Sequence, residues 1–345
     1  MATKVTSHDV ALRAGVSRAT VSIVLNKSDA VSLSDETRKR VLQAAADLGY
    51  TPNSAARMLV RGNTETIGLI ISDPAILRTD GFIPQLLLGI SEINREHGYH
   101  VLVEGLPLHP EKNPYESLVE SRRIDGMIVL NPQSNDPDLK SLIDRSFPVV
   151  LVGSIRHPQE YSVNFTTRQG IAAAVDMLVD QGHRIIGTVP FSPKGQVATD
   201  VRLAALRKEL ARRGIDLPES QVEYGNSSAE SGHMATLRLL RRHPEITAIM
   251  AGNDTIAIGT ISAAKTLGRS VPQDISIVGF DDLPFAAWLS PALTTVHVDA
   301  VKQGARAADL LIRLLRKEDI VERQIRLPTS LVTRQSCTIV PPRLT

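Results

Sequence analysis

Asp9-Val-Ala-Leu-Arg-Ala-Gly-Val-Ser-Arg-Ala-Thr-Val-Ser-Ile-Val-Leu-Asn26 contains two short helical patterns separated by one glycine. The first helix, Ser7 to Ala14, puts Val10, Ala11 and Ala14 on one face and ends at Gly15, which permits a tight turn. Ser17 then caps a second helix, Arg18 to Asn26, with Val21 and Leu25 facing inward. Ser17, Arg18, Ala19, Ser22 and Asn26 are left facing outward. A third amphipathic helix, Asp35 to Leu48, supplies Val41, Leu42, Ala45 and Leu48 to close a small all-α core. Two helices joined by a glycine turn, with a polar outer face on the second, are the pattern of a helix-turn-helix.

Charge is unevenly spread. Residues 1–62 hold nine Lys/Arg against five Asp/Glu, or +4; the whole chain is +2, so the remainder is −2. A basic head on a mildly acidic body suits contact with a polyanion. Between them lies Tyr50-Thr-Pro-Asn-Ser-Ala-Ala-Arg-Met-Leu-Val-Arg61. Pro52 and Asn53 can start a helix that meets no breaker until Gly62. So short a helix is marginal alone and is expected to order only when a partner holds it.

From Thr66 onward, apolar runs alternate with amphipathic stretches. Strands are expected at 67–71, 100–103, 126–130 and 149–152, with helices near 82–97, 114–123 and 137–145. The rhythm restarts with strands at 185–189, 222–224, 248–251 and 275–280, and helices near 169–181, 198–213, 229–242 and 255–267. Alternation of this kind builds parallel sheets, and two such lobes place a ligand cleft at the carboxyl ends of the strands.

Motifs in both the head and the body resemble those of the lactose/galactose repressor (LacI/GalR) family. In the head these are Ala-Gly-Val-Ser at 14–17, Thr-Val-Ser at 20–22, Val-Leu-Asn at 24–26, Glu-Thr-Arg at 36–38 and Leu-Gly-Tyr-Thr-Pro-Asn at 48–53. In the body they are Gln181-Gly-His-Arg-Ile185, Ala251-Gly-Asn-Asp254, Val271 to Asp282 and Leu293-Thr-Thr-Val296. The resemblance implies a helix-turn-helix DNA-binding domain at 1–50 and a hinge helix at 51–62. It further implies a two-lobed periplasmic-binding-protein type I body at 63–345, its first lobe spanning about 63–160 and 296–327 and its second about 161–292 and 328–342. The chain is expected to pass between lobes near 153–163, 290–296 and 326–331, with a final helix at 299–317 returning to the first.

By the same resemblance Arg18 and Ala19 read base edges in the major groove, with Ser17, Thr20, Ser22 and Asn26 as neighbouring contacts. Leu59 wedges into the minor groove at the operator centre, flanked by Asn53 and Arg57. Ile23 departs from the family, which commonly has arginine there. Isoleucine cannot donate two hydrogen bonds to guanine, so the operator is unusual at that base or Ile23 packs within the head.

For the effector, Asn253 and Asp281 end two strands and are matched as partners of ligand hydroxyls. Arg202 occupies the place of the family's cleft arginine, although Ala205 and Leu206 replace the Gly-Phe that follows it. In the first lobe, Asp80 accepts from hydroxyls, and Phe82 either stacks on a sugar face or belongs to the core. Thr166 and Thr167 replace a frequent Asp-Asn pair. Asp254 and Asp282 are read as helix caps, His183 as ordering its loop, and Trp288 as a packing or interface residue.

The function expected is a sequence-specific transcriptional regulator, in the sense of a repressor, controlled by a sugar or sugar derivative. It would act as a homodimer on a near-palindromic DNA operator. No heptad repeat follows Cys337, so a tetramer is the alternative rather than the expectation. A corepressor-dependent regulator sensing a purine is the second reading, and a transporter's solute-binding protein the third. No phosphate loop, metal-ligand spacing or nucleophile elbow occurs, so neither catalysis, a cofactor nor a metal is expected. The start lacks an apolar leader, no run spans a membrane, and Cys337 is the single cysteine, which together place the protein in the cytoplasm.

Overall fold

The computed structural model describes residues 5–25, 33–50, 63–106, 113–133 and 136–340. It divides into two compact units, Met1–Thr64 and Glu65–Thr345. In the first, α1 (Ser7–Ala14), α2 (Arg18–Leu25) and α3 (Asp35–Asp47) surround Val10, Ala11, Ala14, Val21, Val24, Val41, Ala44 and Ala45. Each start is capped. The Thr6 backbone N–H and hydroxyl both donate to Asp9 at 2.8 Å, while Ser34 Oγ accepts from Thr37 N at 3.3 Å. Gly15, at φ 65°, makes the turn between α1 and α2.

Two expectations for this core need correction. Val24 rather than Leu25 is the fully buried residue at the end of α2, with Leu25 half-buried against the cluster. Leu42 is 48% exposed, and Ala44 takes the inward place on α3. Residues 51–62, and with them the expected hinge helix, lie outside the described residues.

The second unit holds two sheets. The first is parallel throughout, in the order β10-β5-β4-β3-β1-β2. Its strands are β1 (Thr66–Ile71), β2 (His100–Gly105), β3 (Gly126–Leu130), β4 (Val149–Val152), β5 (Tyr161–Phe165) and β10 (Gln324–Leu327). Around it lie α4 (Phe82–His97), α5 (Pro114–Glu120), α6 (Pro137–Asp144) and α11 (Ala300–Leu315). The second sheet, in the order β11-β9-β8-β7-β6, comprises β6 (Ile186–Val189), β7 (Ala248–Ala251), β8 (Ser276–Asp281), β9 (Thr294–His297) and β11 (Ser330–Val332). Only β11 in it runs antiparallel. Its helices are α7 (Thr167–Asp180), α8 (Val197–Arg212), α9 (Ala229–Arg242) and α10 (Asp254–Thr266). The central strands are buried on both faces, which is why they read as continuous apolar runs rather than alternating ones.

The first two passages between lobes fall later than expected, and the third falls where it was expected, within 326–331. β5 stays in the first sheet, so the first passage lies at 165–167 and not near 153–163, and the second lobe does not begin at 161. β9 runs to His297 in the second sheet, which moves the second passage from 290–296 to 298–299. The third lies at 328–329, between β10 and β11. Residues 222–224 form no strand; Val222 makes one isolated bridge to Thr188.

Two contacts govern how this body holds together. α4 and α11 cross at backbone contact: a Cβ on Gly304 would sit 2.1 Å from Leu86 O, and one on Gly89 would sit 1.9 Å from Val301 O. Gly304→Val should therefore lower the stability of the body by about 3 kcal/mol or more, read as a lower urea midpoint. The second contact corrects the reading of Asp254 as a cap. Asn253 caps α10, whereas the Asp254 carboxylate accepts from Leu283 N at 2.7 Å and Thr295 Oγ1 at 2.6 Å, tying α10 to β9 and to the loop after β8. Burial pushes its pKa from 3.8 up to about 7, against those two hydrogen bonds. The folded protein thus keeps a proton that the unfolded chain releases near pH 4, and its contribution to stability declines as pH rises from about 4 to 7. Asp254→Asn can still accept from Leu283 N through its amide oxygen and donate from its amide nitrogen to Thr295 Oγ1, without the titration. Across that window wild type should lose on the order of 3 kcal/mol relative to this variant, measured by urea unfolding at several pH values.

Candidate functional site

On the head, the expected DNA-facing residues cluster on α2. Ser17, Arg18, Ala19 and Ser22 are exposed, while Thr20 and Ile23 are half-buried. Ser17 is engaged as the helix cap: its Oγ accepts from Thr20 N at 3.1 Å and pairs with Thr20 Oγ1 at 2.9 Å. Ser17 and Thr20 therefore fix the start of the helix that presents Arg18 and Ala19. Val16, Leu25, Leu33, Leu48 and Tyr50 pack against the core from its edge, so Ile23 lies on the flank rather than inside. Asn26, Asn53, Arg57 and Leu59 lie outside the described residues.

In the body, a cavity of about 370 Å³ opens where strand ends of both sheets face one another. All five expected effector residues, Asp80, Phe82, Arg202, Asn253 and Asp281, line it. Arg202, on α8, is the organising group of the second-lobe wall. Its Nη1 donates to Gly252 O at 2.6 Å and its Nη2 to Asp281 Oδ1 at 3.2 Å. Its plane lies 3.7 Å from the Phe280 ring centre and 4.9 Å from that of Phe191.

Asp281 is 4% exposed, at the end of β8. Burial raises its pKa well above the ordinary carboxyl value, and Arg202 only partly offsets this. Its backbone has φ 112° and the next residue φ 55°, both in the region that favours glycine. This turn separates the two acids: Asp281 faces the cavity, while Asp282 bonds Arg334 at 2.6 Å and His297 at 3.0 Å. Asp282 is therefore a tie to the C-terminal segment and not the helix cap expected of it.

Asn253 spends its Oδ1 on Ile256 N at 2.8 Å, which leaves its amide nitrogen for a ligand. Asp80 Oδ1 accepts from Phe82 N at 3.0 Å, and its pKa is raised by burial, opposed by that hydrogen bond and by the charge of Arg202. Phe82 opens α4, lines the cavity and packs against apolar clusters of both lobes, so it is wall and core at once. His183 bonds Thr247 and the Thr338 carbonyl, ordering its loop. Trp288 is 87% exposed.

Several lining residues were not anticipated. Asn131 directly follows β3 and Ser154 lies two residues after β4, positions that strand-end logic could have singled out. Arg156, Asn164, Gln303, Gln324 and Arg326 also line the cavity. Gln324 and Arg326 alternate with the half-buried Ile325 and the buried Leu327 of β10, a period-two signal only four residues long. The lobes also meet beside the cavity, where Gln133 bridges Gln196 and the Thr255 hydroxyl donates to Thr79 O at 3.4 Å.

Comparison with known proteins matches both units. The family of bacterial regulatory proteins of the lacI type covers residues 6–53, and the periplasmic binding protein-like domain covers 175–337. The transcriptional regulator CelR of Thermobifida fusca is 31% identical over 331 residues, 95% of this chain and 96% of its own. The transcriptional repressor PurR of Klebsiella pneumoniae is 32% identical over 336 residues, 96% of each chain. The Lac repressor dimer bound to operator and the anti-inducer ONPF has a TM-score of 0.85 at 30% identity, covering 97% of this chain and 100% of that one. A CelR–cellobiose complex has a TM-score of 0.74 at 29% identity, covering 96% of this chain and 100% of that one. Among the described residues no helix is long and apolar enough to cross a membrane. Likeness of this extent, over both the head and the body, makes the chain a member of the lacI family of DNA-binding transcriptional regulators.

Proposed function

We propose that this regulator binds a saccharide or sugar derivative in the cavity between its lobes and that binding releases it from its operator. The observation carrying this reading is Arg202, held against Asp281 with its face on Phe280, beside Asp80 and Asn253. Such a wall offers several directional hydrogen-bond partners together with the aromatic surface of Phe82, a combination suited to a ring bearing hydroxyls. The ligand is bound, not turned over, and the protein acts in the cytoplasm as a homodimer on a near-palindromic site, with a recognition helix in each of two successive major grooves. A coupling of about 1–3 kcal/mol between effector and operator would weaken DNA binding roughly 5- to 150-fold.

Arg18 and Ala19 are the groups proposed to meet base edges, with Ile23 as an apolar contact beside them and Ser17, Thr20, Ser22 and Asn26 at the flanking positions. Leu59, Asn53 and Arg57 are proposed for the operator centre. Leu59→Ala should weaken specific operator binding roughly ten- to thirtyfold, the value of a lost buried leucine, while sparing salt-dependent binding to unrelated DNA. Equal loss of both in a gel-shift titration would count against the wedge.

Ligand class is tested by thermal shift of the purified protein against mono- and disaccharides, sugar phosphates, polyols and purines, since a ligand bound only to the native state raises its melting temperature. A sugar hit that also weakens operator binding is the expected result. A purine hit would replace the proposal with the corepressor reading. With the effector in hand, Arg202→Ala should lower its affinity about 100-fold in calorimetry and abolish its effect on DNA binding.

A further inference from the structure

Charge around the cavity is arranged with direction. Asp80 follows β1, whereas Arg156 follows β4 and Arg326 lies on β10. β4 and β10 stand two and four places from β1 in the first sheet. At about 4.8 Å per strand, β4 and β10 themselves stand roughly 10 and 19 Å from β1. The register of β10 against β5 sets Arg326 beside Asn164, and both line the cavity. Arg202 already pairs with Asp281 and donates to Gly252 O. Among the described residues, by contrast, the guanidinium groups of Arg156 and Arg326 have no ion-pair or hydrogen-bond partner. Setting aside the Arg202–Asp281 pair, two cations at one end face a single carboxylate at the other.

The floor of the cavity is also unfinished. Gln303 is 3% exposed; its Nε2 donates to Val163 O at 2.8 Å, while its Oε1 is buried without a partner. Asn131 Oδ1 is likewise buried and unpartnered. Buried acceptors of this kind call for donors, and ligand hydroxyls would supply them.

We propose that the effector is an acidic sugar derivative, with its carboxylate or phosphate on Arg156 and Arg326 and its hydroxyls reaching toward Gln303, Asn131 and Asp80. This rests on the reading of the cavity as a sugar sensor and narrows it. Guanidinium groups pair with planar carboxylates and with phosphates through charge-assisted hydrogen bonds roughly twice as strong as neutral ones. The separate position of Asp80 keeps its own charge away from that anion.

The test is calorimetric titration of the full-length protein with two matched sets: glucose, glucuronate and glucose 6-phosphate, then galactose, galacturonate and galactose 6-phosphate. An acidic member should bind at least tenfold more tightly than its neutral partner, and added sodium chloride should narrow the gap. The carboxylate and phosphate arms distinguish the two anions. Arg156→Gln combined with Arg326→Gln should erase the preference, whereas Arg241→Gln, at an exposed position of α9 away from the cavity lining, should leave it intact. A neutral sugar that binds as tightly as its acids, or a preference that survives the double variant, would overturn the acidic assignment and leave the sugar-sensor reading standing. Silence across both sets, or binding of a purine instead, would overturn both.

Discussion

A carboxylate almost wholly removed from water organises the effector-binding body. Asp281 is sealed at the end of β8, and Arg202 is the cation that faces it. An ion pair so placed is tolerated only when the remaining donors of the cation are also satisfied. That requirement recruits the Gly252 carbonyl at the end of β7 and the faces of Phe280 and Phe191, so one guanidinium joins α8 to the exits of two strands. The strained turn at 281–282 then sends the next acid the other way, onto Arg334 and His297. One buried charge thereby fixes both the cavity wall and the seat of the C-terminal segment.

Much of this was legible in the chain. The helices Ser7–Ala14, Phe82–His97 and Ala229–Arg242 and the strands Gly126–Leu130, Val149–Val152 and Ala248–Ala251 lie where apolar periodicity put them. Their signals are long runs bounded by glycine, proline or a capping side chain. The five effector residues expected from motif position all line one cavity: Asn253 and Asp281 because residues that end parallel strands converge there, Phe82 and Arg202 from α4 and α8, and Asp80 from just before α4.

What stayed hidden has two causes. β5 follows β4 without an intervening helix, so its apolar residues read as loop. The link is held instead by the buried Glu160, which accepts from Ser154 Oγ, Ile155 N and His157 N. The roles of Asp254 and Asp282 depended on partners far along the chain, Thr295 for one and Arg334 for the other. No local pattern encodes pairings across 41 or 52 positions. Part of the cavity lining was missed for a related reason: Arg326 and Asn164 come side by side only when β10 docks beside β5.

The same docking determines what motion the body can make. Two of the three passages are stitched together: Thr166 N donates to Leu327 O, Thr329 Oγ1 to Thr166 O, and Gly170 N to Thr329 Oγ1. Gln303 ties the helix after the other passage to the backbone of β5. Strands laced in this way cannot slip lengthwise past one another without breaking several hydrogen bonds at once, whereas bending across them costs little. Sliding is therefore suppressed and rotation retained, so whatever occupies the cavity is translated into essentially one mechanical coordinate, the angle between the lobes.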